Sequence, residues 1–155
     1  MNTSKFLFFV FFVSVVEAVS SQSIGIAKTI DMSFGNIAVI NPGTVVLDPS
    51  GSRIGTGGIT LPAIAGTISA ASFCVSGIAF HTYAITLPSS CIISNGSNTM
   101  TIDTFTSNPS ATGTLNGATP GKQTLTIGAT LHVAGAQAPD TYISGSPFTI
   151  TVNYN

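Results

Sequence analysis

The chain has 155 residues and nine charged side chains, four Lys or Arg against five Asp or Glu, for a net charge of −1. So few cations exclude a phosphate-tracking nucleic-acid surface, and 21 Thr, 19 Ser and 16 Gly are far from the makeup of a helical bundle. A mean hydropathy of +0.52 with so little charge also excludes disorder of the highly charged kind, which leaves one β-leaning domain as the natural count at this length.

The N-terminus reads as an address. Met1 to Lys5 carries one Lys, Phe6 to Val16 is an unbroken apolar stretch apart from Ser14, and Val16-Glu17-Ala18 offers a small residue at a cleavage point. That order of regions predicts a secretory signal peptide over residues 1–18, cleaved between 18 and 22. Eleven residues at about 1.5 Å each cannot cross a hydrocarbon core about 30 Å thick. Residues 19–155 are then a single exported domain, with no second apolar stretch long enough to span a bilayer.

From there the chain alternates. Ile24, Ile26, Ile30, Met32 and Phe34 share one face, interrupted by Lys28, and small or polar residues occupy the other. A bend is expected at Gly35, with Ile37, Val39 and Ile40 continuing toward a turn at Asn41-Pro42-Gly43. Thr44 to Leu47 reads as a short strand ended by the turn Asp48-Pro49-Ser50-Gly51, and Gly51–Gly58 as a flexible turn rather than a phosphate cradle. Ser69–Ser76 places Ala71, Phe73 and Val75 on one face and Cys74 on the other. Phe80–Leu87 follows and stops at Pro88. Asn95-Gly96 predicts a tight hairpin between Cys91–Ser94 and Thr99–Phe105. Ser107–Gly121 reads as a loop. Leu125, Ile127, Ala129, Leu131 and Val133 line one face of a long strand, and Phe148, Ile150, Val152 and Tyr154 do so in the last one. Short strands at this spacing, with no helical periodicity, predict an all-β, antiparallel immunoglobulin-like β-sandwich of about seven to nine strands.

Chemistry is sparse. In an exported chain Cys74 and Cys91 are most simply one disulfide, closing a loop worth about 3 kcal/mol, with two unpaired thiols as the alternative. His81 or His132 with Asp103 and a Ser could be drawn into a hydrolytic triad, but no nucleophile elbow is present. No calcium-loop or zinc spacing occurs, and no Glu remains after Glu17 to pair carboxylates. No catalytic residue, metal ligand or cofactor is therefore assigned, and an enzyme is not expected.

Several segments together carry a resemblance: Met32–Ile37, Gly43–Pro49, Ala71–Gly77, Tyr83–Pro88, Met100–Phe105, Ile127–Val133 and Phe148–Tyr154. In this order they are similar to an exported bacterial β-domain family designated domain of unknown function 4402. That family is in turn similar to spore-coat-protein-U-like domains, which include subunits of archaic chaperone–usher pili. In such pilins the sandwich lacks its last strand, and the N-terminal segment of the next subunit fills the groove. The resemblance implies secretion to the bacterial cell surface through the periplasm, with identical or related subunits and a periplasmic chaperone as partners.

On this basis Ile24, Ile26, Ile30 and Met32 form a candidate donated strand, and Phe148, Ile150, Val152 and Tyr154 a candidate strand for chaperone pairing. Two ordinary strands of a self-sufficient sandwich are the alternative, and Lys28 in the apolar row marks an edge. Two functions follow. One is an exported structural protein, a subunit or decoration of a surface fibre, pilus or envelope layer. The other is a monomeric extracellular binding module, for a glycan for example, with Phe80 and Tyr142 as the only candidates for an exposed aromatic platform.

Overall fold

The computed structural model describes residues 22–155, so the expected signal peptide at residues 1–18 falls outside the described residues. Among these the chain forms thirteen strands and no helix. In chain order they are β1 (Gly25–Ile30), β2 (Ser33–Phe34), β3 (Ala38–Leu47), β4 (Arg53–Thr60), β5 (Ile68–Ser69), β6 (Ala71–Gly77) and β7 (Thr82–Thr86). Then come β8 (Ser90–Asn95), β9 (Asn98–Asn108), β10 (Thr112–Thr114), β11 (Gly121–Val133), β12 (Ile143–Ser144) and β13 (Thr151–Tyr154). Four of these, β2, β5, β10 and β12, have only two or three residues; of the other nine, all but β4 are strands that sequence alternation anticipates.

All pairings are antiparallel. An eight-stranded sheet runs in the order β1-β6-β11-β9-β8-β12, with β3 also paired to β11 and β4 to β3. Its centre is β11. One side of β11 pairs with β9, and the other is shared: Gly121–Ile127 pairs with β6, and Ala129–Val133 with β3. The handover falls at Gly128, where a Cβ would collide with the Leu47 carbonyl and the Asp48 backbone, so only Gly admits both neighbours.

Two small sheets cover the inner face, β10-β7-β13 and β2-β5, completing a β-sandwich. The odd row of β11 feeds two clusters in turn. Leu125 and Ile127 pack with Ala71, Val75, Tyr83, Leu115 and Val152 in one. Ala129, Leu131 and Val133 pack with Phe34, Val45, Leu47 and Ile102 in the other. Burying these side chains, each worth about 1.5–3 kcal/mol when fully removed from water, is what holds the layers together.

Several sequence expectations need correction. Asn41-Pro42-Gly43 does not reverse the chain: β3 runs through it, and the register against β4 slips between Val39 and Gly43. The Gly-rich stretch after Gly51 is strand rather than flexible turn, because hairpin pairing with β3 gives β4 the partner that its own side chains do not. The expected loop at 107–121 contains the end of β9 and all of β10, and the last strand begins at Thr151 rather than Phe148. The Asp48–Gly51 and Asn95–Gly96 turns are as expected. The Gly51 N–H donates to the Asp48 carbonyl at 2.8 Å, and Asn95 pairs with Asn98 across Gly96-Ser97.

Cys74 and Cys91 are free thiols, not a disulfide. Cys74 on β6 lies opposite Thr124 of β11. Cys91 on β8 lies opposite Ile102 of β9, which faces Leu131 of β11. Thr124 and Leu131 are seven residues apart on one strand, about 23 Å at roughly 3.3 Å per residue. A disulfide needs Cα atoms within about 7 Å. Cys74 also alternates with the inward Phe73 and Val75, while Cys91 packs against the core.

Candidate functional site

Both terminal strands sit at open sheet edges. β1 pairs only with β6, from Gly25 opposite Ser76 to Ile30 opposite Ser72, and β13 pairs only with β7, from Thr151 opposite Thr86 to Tyr154 opposite Tyr83. Each therefore presents a row of outward backbone donors and acceptors with no partner among the described residues.

The side chains proposed for strand association are distributed unevenly. Ile24, Ile26 and Met32 are half-buried against the molecule's own core, and Ile30 is 51% exposed. Val152 is buried, and Phe148, Ile150 and Tyr154 are half-buried around it, with Phe148 tilted against Phe105 at a centroid distance of 5.2 Å. The apolar faces are thus largely engaged internally, and the edges are what remains open. Charge protects β1 lightly: the exposed Lys28 ammonium lies 2.5 Å from the Asp31 carboxylate, a pair of small energetic weight.

One pair of ionisable groups meets across the large sheet, away from these edges. Register sets Asp103 of β9 opposite Thr130 and Thr101 opposite His132 on β11, and His132 Nε2 lies 2.8 Å from Asp103 Oδ1. The Thr104 hydroxyl donates to the same oxygen at 2.9 Å. Hydrogen bonds from His132 first and Thr104 second hold the Asp103 carboxyl below its ordinary range. His132 borders an open cleft of about 540 Å³ with Pro42, Thr44, Thr99 and Met100. No Ser hydroxyl is bonded to this imidazole among the described residues, so of the triad considered and set aside from sequence only the Asp103–His132 pair is present. His81 stands elsewhere, its ring edge-on to Tyr154 at 5.7 Å. Among the described residues no group of three or more His, Cys, Asp or Glu could hold a metal ion, and no helix is long and apolar enough to cross a membrane.

Residues 24–154 match the family model described as Domain of unknown function (DUF4402). The chain belongs to that family. No curated protein and no solved structure matches it.

The DUF4402 match spans every strand described above, from the edge β1 to the edge β13, so both open edges lie inside the family domain and not in an appended tail. The two aromatic platform candidates separate. Tyr142 is half-buried, its hydroxyl donating to the Ala138 carbonyl and accepting from Gln137. Phe80 is 76% exposed. Edge status is what sequence reasoning sees least well: Lys28 is a signal for β1, and nothing comparable marks β13.

Proposed function

We propose that this DUF4402 chain is a non-enzymatic exported structural protein, a subunit or decoration of a bacterial surface fibre, pilus or envelope layer that associates strand to strand. The observation that carries the proposal is the open outer edge on both terminal strands, β1 and β13. Main-chain bonds to an added strand supply affinity, and alternate side chains supply register. A nearly uncharged surface supports it, because like charges would oppose repeated packing of identical copies.

The reading extends the family to the spore-coat-protein-U-like and archaic pilin domains it resembles, with identical or related subunits and a periplasmic chaperone as partners. Two routes are open to β1. It pairs outward while still bonded to β6, or it leaves β6 and is donated whole. The half-buried Ile24 and Ile26 favour the first, since donation strips both from the core.

Sedimentation velocity on the purified protein tests the proposal. Species larger than a monomer are expected, with a return to monomer when Thr29→Lys and Ile30→Lys charge the exposed end of β1. A protein that remains monomeric throughout a concentration series refutes it.

A further inference from the structure

A second surface stands apart from the strand edges. Between β6 and β7 the chain turns through Ile78-Ala79-Phe80-His81, closed by the His81 N–H donating to the Ile78 carbonyl at 3.3 Å. Phe80 occupies the third position with φ of +60°, the position where a type II turn ordinarily carries Gly or Asn. A bulky side chain in the left-handed region is strained. The ring gains little in return, since Phe80 is 76% exposed. Local conformation and solvation both oppose Phe here.

The surroundings hold it in place regardless. The Phe80 N–H donates to the Leu115 carbonyl at 3.1 Å, and the Leu115 N–H donates to the His81 carbonyl at 3.0 Å. The Ile78 N–H donates to the Tyr154 hydroxyl at 2.7 Å. A Cβ at Gly117 would collide with the Phe80 ring, so the ring rests on bare backbone there. Asn116 braces the loop beneath it, its Oδ1 accepting from Ala118 at 3.2 Å and Lys122 at 2.8 Å. His81 Nδ1 lies 3.1 Å from the Ala79 carbonyl. Asn116 Nδ2 and His81 Nε2 have no partner among the described residues.

We infer that Phe80 is a binding platform for a neutral sugar ring. A backed, outward aromatic face in a fixed turn is preorganised for stacking on the apolar face of a pyranose. The unpartnered amide and imidazole nitrogens beside it suit hydroxyl groups. The sparse cations disfavour a phosphate-bearing base as the stacked partner. Strain kept at an exposed residue points to a role outside the domain's own packing.

The test is a titration of the purified protein with hexasaccharides of β-1,4-glucose, α-1,4-glucose and β-1,4-N-acetylglucosamine, followed by amide chemical shifts. At least one should move the amides of residues 78–81 and 116–118, and Phe80→Gly should weaken that binding at least tenfold. Phe80→Gly and Phe80→Asn should hold or raise the thermal unfolding midpoint, because both residues accept this φ. The inference is overturned if none of the three sugars moves these amides, if binding persists in Phe80→Gly, or if both variants lower the midpoint. Concentration-dependent shifts at the turn without sugar also overturn it, by assigning the ring to a second copy. Edge association through β1 plays no part in this test.

Discussion

β1 and β11 carry nearly the same sequence signal and meet opposite fates. Each sets an apolar row against a small or polar one, yet Leu125 and Ile127 on β11 are 0% exposed and Ile30 on β1 is half exposed. The difference is in neighbours. β11 is hydrogen-bonded along both sides and covered by two small sheets, whereas β1 has β6 on one side and, among the described residues, no strand on the other. Alternation reports which face of a strand is apolar; it does not report how many strands lie beside it.

The contrast is sharpest in stability. Leu125→Ala should cost about 3 kcal/mol, a typical loss for a fully buried Leu that leaves a cavity, and Ile30→Ala under about 1 kcal/mol. Urea unfolding of the two variants checks this; equal losses would mean that β1 is as enclosed as β11. Gly128→Ala probes the point where β11 exchanges β6 for β3. The added methyl meets the Leu47 carbonyl, so a loss of about 2 kcal/mol is expected despite the small change.

The smallest effect is electrostatic. Asp103 has its folded-state pKa depressed by His132 and Thr104, so it adds stability above the unfolded carboxylate value of about 3.9. That contribution disappears as pH falls through the lower folded value. The gap between wild type and Asp103→Asn in urea midpoint should therefore close as pH drops below about 4. A gap unchanged to pH 2 would show that the pair does not form.

Much of this architecture was legible. The inward row of β11, the Asp48–Gly51 and Asn95–Gly96 turns and the all-β class follow from periodicity and turn chemistry, because short-range sterics decide them. What was hidden depends on partners distant in sequence. The Arg53–Thr60 stretch became a strand because β3 lies alongside, and Arg53 is drawn in to the Phe34 and Asn36 carbonyls. On β9 the register slips opposite Gly128–Thr130, with Thr104 at φ +49°, so the inward row passes from Ile102 to Phe105. No residue there announces the change. The cysteines failed for the same reason: compartment chemistry suggests pairing, and only the register shows them far apart.

Hydrogen exchange of individual amides across a concentration series reads the openness of the β1 edge residue by residue. In an open-edged β1, the amides bonded to β6 are protected at every concentration, and the outward ones exchange freely when dilute. Those outward amides within residues 25–30 should gain protection as concentration rises, while β11 stays unchanged. Outward amides already protected at the lowest concentration, or never protected at the highest, would contradict it.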